Sequence, residues 1–455
     1  MDPTAGALSK IPRDEEDPVA SGAARRRVGV VDRFALNWPC MKSRRSVFLS
    51  SDEDTSLRPT LAVIVGSGAS IASGVPSSKD LLAVVRAALI GRVKTQKIDG
   101  TIEETAFPLW EVLKKSLSTR RQAVGFESIV AAIEELLSYG LGDGPLIRSF
   151  TELRSVVSDV ARTEVLFNIH EFVIQAILGA LLKGQPRTRE QLAAHESLLA
   201  FVRRLSSSAR IVLVTLNYDT LLDDALTWSH GFTQVSSEYA EFDPSHWHAQ
   251  TATDHLLLHV HGSVRFGMRP STMFLANAPF NEPVRYATQQ LAIQSLSNTS
   301  SPSADGHLLS AGPIVAGGHK SAKLMLNSRP YAYYNATALE AIANARGLLI
   351  LGYGFGDAHV NAWIDEHMRA RGCDRLAIVG RRTSTDIGKN TLPTEIYLRR
   401  LAQSDFDNVY VPVEGGAPPS RLHGPIGDAY FVASGVPLTA DAEEAVIQYL
   451  MRELP

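Results

Sequence analysis

The sequence predicts an α/β fold, a doubly wound parallel sheet with an inserted helical subdomain. Three observations point to it. Short apolar runs rich in β-branched residues recur along the chain, each of strand length and each suited to burial on both faces. Segments of helical periodicity fill most of the gaps between them. Several of the runs end abruptly in glycine or polar turns, as parallel strands do where they pass to a helix.

The first run is "LAVIVG" at 61–66, followed by the helical pattern "SKDLLAVVRAALIGRV" at 78–93. "RIVLVTL" at 210–216 leads into "DTLLDDALTW" at 219–228, read as a second helix. "HLLLHVHG" at 255–262 is the third run. "GLLILGYG" at 347–354 is followed by "DAHVNAWIDEHMRARG" at 357–372, with Asp357 as a natural helix cap. "RLAIVG" at 375–380 and "NVYVPV" at 408–413 complete the set, and "TADAEEAVIQYLMREL" reads as a final helix packed on the sheet. More than a hundred residues between the first helix and "RIVLVTL" lack a strand-like run. They contain "FESIVAAIEELLSYG", "LFNIHEFVIQAILGALLKG" and "REQLAAHESLLAFVRRL", with apolar residues at three- and four-residue spacing. A helical insertion at about 100–206 follows, and a second insertion at about 266–330 carries the Ser/Pro/Asn-rich "SLSNTSSPSADG", read as a flexible loop. Residues 1–57 show no sustained periodicity and read as a mobile or partner-binding arm, leaving 58–455 as the folded domain.

Composition narrows the function. The chain has 455 residues, 45% hydrophobic and 20% charged, the profile of a soluble globular protein. A net charge of −3 gives no global reason to expect direct nucleic-acid binding. Two cysteines, Cys40 and Cys373, can build neither a disulfide framework nor a four-thiolate zinc site. The polar N-terminus has no apolar core of signal-peptide length, and "VLFNIHEFVIQAILGALL" at 165–182 is interrupted by Asn168, His170 and Glu171. A cytoplasmic protein with no membrane association is the expectation.

Chemistry concentrates at the ends of the apolar runs. "GSGASIASGVPSS" at 66–78 has the glycines that let a backbone approach a phosphate before a helix N-terminus. The third glycine of the dinucleotide fingerprint is replaced by Ile71, so that motif does not apply. "IVLVTLNYDT" at 211–220 ends a buried strand in Asn217 and Asp219, residues costly to bury without partners. Taken alone, either reads as an N-cap for the following helix. "LLLHVHGS" sets His259 and His261 two apart, on one face if both lie on a strand. They could begin a metal site with His246, His248 and Asp254, whose spacing matches no recognised ligand pattern. Alternatively, one histidine at the strand's carboxyl end serves as a general base. In a parallel sheet all of these turns reach the same edge, where ligands bind.

In this order the segments resemble the SIR2-like, sirtuin-fold superfamily with its Rossmann-like sheet, and within it the bacterial SIR2-like domains of antiphage defence systems. "GSGAS–IA–SGVP" resembles the sirtuin nucleotide loop, "TLNYD" the bacterial "T-x-N-Y-D" form, "HVHGS" the family's histidine, and "LGYGFGDAHVN" the "GYSFxDxHIN" signature. "LAIVGRR" at 376–382 fits the strand near the adenosine, and "PIVAGGHKSAKLM" at 313–325 resembles a degenerate copy of the segment before the last signature. The resemblance spans roughly 60–415.

The resemblance implies NAD binding. Gly66, Gly68, Ala69 and Ser70 would line the pyrophosphate and ribose, and Gly74, Val75 and Pro76 would close toward the nicotinamide. Asn217 would position the nicotinamide ribose or a water, Asp219 would help hold the carboxamide, and His261 would act as base. Gly352, Tyr353, Gly354 and Asp357 would face the adenosine, with Thr215 and Gly380 also on the cofactor side. The departures shape the expected activity. The four-cysteine zinc ribbon of sirtuin deacylases is absent, "PSSKD" replaces "PDFR", and Leu216 stands where those enzymes carry Gln. Acyl-lysine deacylation is therefore not expected, whereas NAD+ hydrolysis without a metal survives these losses. The resemblance further implies a defence effector that depletes NAD+, activated by homo-oligomerisation or by a partner such as a HerA-like ATPase or an argonaute-type protein. A non-catalytic NAD or ADP-ribose sensor and an ADP-ribosyltransferase are the alternatives.

Overall fold

The computed structural model describes residues 59–90, 92–96, 102–106, 109–119, 124–141, 161–269, 283–295, 300–302, 308–310, 314–317, 320, 328–371, 375–380, 420–424, 427–432 and 436–451. At its centre is a seven-stranded sheet built from β1 (Thr60–Val65), β2 (Arg210–Thr215), β3 (Leu256–His259), β4 (Gly347–Leu351), β5 (Arg375–Val379), β6 (Ser420–Gly424) and β7 (Gly427–Val432). The order across it is β6-β7-β5-β4-β1-β2-β3, parallel except for β6, which runs antiparallel to β7. The chain builds outward from β1 through β2 to β3, then crosses to the other side of β1 for β4 and β5. This reversal is the doubly wound arrangement, and its switch point lies between β1 and β4.

Alternation along the strands divides the core between the two faces of the sheet. Ala62 and Ile64 of β1, Val212 and Val214 of β2, and Leu348 and Ile350 of β4 pack on one side. They meet Tyr334, Ala338 and Ile342 of one helix and Val360 and Ile364 of another. Leu61, Val63, Ile211, Leu213, Leu349 and Leu351 point the other way, onto Leu198, Val202, Leu205, Val446 and Leu450. Both faces are covered, which is why these strands are continuous apolar runs rather than alternating ones.

Ten helices among the described residues surround the sheet: α1 (Ser78–Ile90), α2 (Leu109–Thr119), α3 (Phe126–Leu141), α4 (Ala161–Lys183), α5 (Arg189–Ser208), α6 (Pro244–Gln250), α7 (Gln289–Gln294), α8 (Tyr333–Asn344), α9 (Ala358–Arg371) and α10 (Ala440–Met451). The helix α5 opens with a capping box: Thr188 accepts from the Gln191 backbone while the Gln191 side chain reaches back to Thr188. Its buried face belongs to the sheet core, whereas α1 to α4 form a separate apolar cluster that includes Leu81, Val85, Ile129, Val173 and Ile177. Among the described residues no helix is long and apolar enough to cross a membrane.

Two sequence expectations are corrected. Residues 219–228 form no helix: 221–225 are turns, and the residues on either side are irregular. Only a few helix-like bonds occur there, such as Leu226 N to Leu222 O at 2.9 Å. Asp223 is drawn inward to an ion pair with His259 beside the buried Leu221, Leu222 and Leu226, so a charged residue takes a place on the buried side that helical periodicity reserves for apolar ones, while Asp224 stays exposed. The stretch expected to lack strands also contains a hairpin, Arg92–Gln96 with Ile102–Ala106. The run at 408–413, the arm at 1–57, and much of 266–330 lie outside the described residues. The edge of the sheet is completed by β6 and β7, whose short sequences, SRLHG and GDAYFV, carry no apolar run longer than four residues. A second, four-stranded antiparallel sheet is formed by Phe232–Gln234, Tyr239–Phe242, Val284–Tyr286 and Phe266–Gly267.

Candidate functional site

Register places the chemistry. Val65 pairs with Thr215 and with Leu351, Thr215 pairs with His259, and Leu351 pairs with Val379. The last residues of five parallel strands thus stand in one row, and Gly66, Asn217, His261, Gly352 and Gly380 emerge just beyond it.

At the switch point the turns after β1 and β4 press against each other. A Cβ on Gly66 would lie 2.7 Å from the Gly352 carbonyl oxygen, and one on Gly68 would lie 2.8 Å from it. Gly352 has φ +60, and a Cβ there would lie 2.2 Å from the Ala69 nitrogen. These three glycines are required by backbone packing. Gly354 and Gly356 differ: nothing lies within 4 Å of a Cβ built on either, and both line a cavity of about 250 Å³.

Gly66, Val75, Pro76, Asn217, Asp219, His261, Tyr353, Gly354 and Asp357 also line that cavity. Ser70 and Thr215 stand behind it and hold Asn217. The amide Nδ2 of Asn217 donates to Ser70 Oγ at 2.9 Å and to the Gly66 carbonyl at 3.2 Å, and its backbone N–H donates to Thr215 Oγ1 at 3.1 Å. Its Oδ1 is buried and has no partner. Asp219 accepts from the Leu221 N–H through Oδ1, a local turn that replaces the expected helix cap, while its Oδ2 is buried without a partner. Burial raises the Asp219 carboxyl above the usual carboxylate range, against the Leu221 amide and Ser70. Gly68, Ala69, Gly74 and Gly352 are not among the lining residues. Gly74 adopts φ +95 at a helical-turn terminus, packed against Gln191, and Gly380 follows β5 without lining the cavity.

The two histidines of the third run part company. β3 ends at His259, and a turn closed by Gly262 N to His259 O at 3.1 Å rotates His261 away. The expectation of a shared strand face therefore fails. His259 Nε2 sits 2.7 Å from Asp223 Oδ2 in a buried pair. His246 bonds Gln250, and Asp254 accepts from Ser229, so neither converges with the strand histidines. His261 Nε2 instead lies 3.2 Å from His359 Nε2. Burial holds His261 well below its usual range, assisted by Lys320 and His359, so the ring is kept neutral. Burial also pushes His359 down to about 4.

Asp357 is brought against this pair rather than held apart from it. Its Oδ1 accepts from Lys320 Nζ at 2.7 Å, and the same ammonium donates to Glu127 Oε1 of α3 at 2.7 Å. The Tyr218 hydroxyl donates to Glu127 Oε1 at 3.4 Å. Burial opposes the Lys320 charge, yet the two carboxylates outweigh it and raise its pKa. Sequence reasoning missed Glu127, Lys320 and His359. His359 had a signal, standing two residues after Asp357 in the quoted signature. Lys320 lies in the quoted segment 313–325 but was not singled out there, and Glu127, 193 residues away, had no signal.

The family model described as SIR2-like domain matches residues 211–396. This stretch of the chain is similar to a SIR2-like domain. The matched stretch includes Asn217, Asp219, His261, Lys320, Asp357 and His359, and ties the chain to NAD-related function. The glycine turn after β1 and Glu127 lie outside it but complete the same cavity. No curated protein matches the chain. Among solved structures, a sirtuin described for the structural basis of its substrate affinity is similar at 13% identity and TM-score 0.29, covering 77% of this chain and 96% of its own. Sir2Tm bound to a propionylated peptide is similar at 13% identity and TM-score 0.28, covering 77% and 94%.

Proposed function

We propose that the SIR2-like domain is an NAD+ glycohydrolase that releases nicotinamide and ADP-ribose. One observation carries the reading: two orphaned buried oxygens, Asn217 Oδ1 and Asp219 Oδ2, share the cavity at the sheet's switch point with a neutral histidine. Buried polar atoms left without partners are costly, so this site is built for a ligand with donors. The carboxamide N–H groups and ribose hydroxyls of NAD+ are such donors. Gly354 and Gly356 leave room for the rest of the ligand at the carboxyl end of β4.

The chemistry asks little of the protein. The bond from ribose C1′ to the nicotinamide nitrogen breaks, its electron pair neutralises the pyridinium, and C1′ acquires oxocarbenium character. A water oxygen bonds C1′, and its proton passes to His261. Asn217, fixed by Ser70 and the Gly66 carbonyl, orients the ribose or the water. Asp219 holds the carboxamide and places negative charge near the developing cation. An enzyme that destroys NAD+ has to be silent until triggered. The accompanying proposal is an antiphage effector switched on by self-assembly or by a partner of the HerA-like ATPase or argonaute type.

The test incubates the purified full chain, alone and with candidate triggers, with NAD+ and resolves products chromatographically. Free ADP-ribose and nicotinamide, both lost in Asn217→Ala and His261→Ala, are expected. Tight NAD+ binding without turnover under every trigger would make the protein a sensor. Label transferred to a macromolecule would make it an ADP-ribosyltransferase.

A further inference from the structure

The donor atoms of His261, Asp357 and His359 all lie within 4.8 Å of one another. His261 comes from the turn after β3, Asp357 from the turn after β4, and His359 from the first turn of α9, so the three converge on elements fixed by the sheet. We propose that they form a binding site for one divalent transition-metal ion, with zinc as the best-matched species, beside the cavity that His261 and Asp357 line.

Three features support the assignment. The first is geometric. Two nitrogens on one zinc, each at about 2.0–2.1 Å and at the tetrahedral angle, stand about 3.3 Å apart; the observed separation of His261 Nε2 and His359 Nε2 is 3.2 Å. The second is the donor set. Two imidazoles and one carboxylate form a three-ligand site that leaves a further position open, here toward the cavity lined by His261 and Asp357. The third is charge. Lys320 contributes +1, while Glu127 and Asp357 contribute −1 each, so with neutral imidazoles the cluster carries a single net negative charge in a largely buried place. A bound cation offsets it. Lys320 takes Asp357 Oδ1, which leaves Oδ2 to serve as the metal ligand.

One consequence rests on the hydrolase reading. An ion on His261 Nε2 occupies the lone pair that would accept the water's proton, so the zinc-filled domain is inactive and a chelator restores turnover.

The test is direct and does not need turnover. The full chain, stripped with a chelator and dialysed, is titrated with zinc against a chromophoric competitor. One zinc per chain is expected. His359→Ala and Asp357→Asn should each weaken it by more than the roughly 10–100-fold typical of losing an outer-shell partner. Because the chain has 13 histidines, His246→Ala serves as a control and should leave the affinity unchanged. X-ray absorption of the zinc-loaded wild-type chain guards against a variant that misfolds: it should show two imidazoles, oxygen and no sulfur. Failure to hold zinc against the competitor, undiminished affinity in His359→Ala, or a sulfur neighbour would each overturn the proposal. These readouts stand whether or not NAD+ is hydrolysed.

Discussion

Gly352 and Gly354 sit two residues apart in "LGYGFG" and should respond oppositely to alanine. Gly352 holds φ +60, a region that costs a non-glycine residue about 1–2 kcal/mol. Its new Cβ would stand 2.2 Å from the Ala69 nitrogen and 2.5 Å from the Gly68 carbonyl carbon, where ordinary contact begins at 3.4 Å. Both neighbours are backbone, locked by Gly68 N to Gly352 O at 2.9 Å and Gly66 N to Leu351 O at 2.8 Å, so relief requires prising two turns apart. Overpacking of that kind costs about 1–3 kcal/mol. The sum is about 2–5 kcal/mol. At roughly 2 °C per kcal/mol, the low end for larger domains, thermal unfolding should fall by roughly 4–10 °C. Gly354→Ala meets nothing within 4 Å and should change stability by no more than about 0.5 kcal/mol. Its methyl group instead enters the cavity, so NAD+ affinity should drop while the melting curve stays put. Differential scanning calorimetry of both variants without ligand, with a binding isotherm for Gly354→Ala, reads the contrast. A Gly352→Ala protein melting within about 1 °C of wild type would refute the packing account, because the overlap would then have been relieved at no cost.

Other expectations follow from the charged groups. In the His259–Asp223 pair, burial opposes both charges, yet each partner outweighs it: His259 is raised and Asp223 is depressed. The Asp223 contribution is present above about pH 4 and is lost as pH falls through its depressed folded pKa. The His259 contribution is full below about pH 6.5 and is lost as pH rises through its raised folded pKa. Asp223→Asn should therefore lower stability most between about pH 4 and 6.5 and flatten the decline above it, measured by denaturant midpoint across pH. Lys320→Met strips the counter-charge from Asp357 and Glu127. A loss of about 2–3 kcal/mol is expected, below the usual 3–5 for breaking a buried pair because Glu127 remains partly exposed. A double variant that also carries Asp357→Asn should recover part of it. Because His261 is neutral well below its usual range, single-turnover hydrolysis should hold its rate through pH 6.5 and fall only in more acidic buffer. A midpoint near 6.5 would remove His261 from the role of base.

What could be read from the sequence divides along physical lines. Strands buried on both faces need apolar residues at every position, so "LAVIV", "RIVLVT" and "GLLIL" announced themselves, and their shared direction brought Asn217, His261 and Asp357 to one edge. The glycines were visible as well, but their reasons were not: only the approach of the two turns separates Gly352, which packing requires, from Gly354, which leaves space. Where a polar side chain turns inward, periodicity misleads. "TLLDDAL" has helical spacing, yet Asp223 is buried against His259 and the segment becomes turns. Lys320 shows the limit most clearly. The segment around it was marked, but not this residue, because its meaning lies in Glu127 and Asp357, one on a helix far upstream and the other at the mouth of β4. An ammonium between two carboxylates ties the helical layer to the residue beside His261. A displacement of α3 that carries Glu127 would strain the bridge to Asp357, and a change in the helical layer would in this way be felt beside His261, the proposed base.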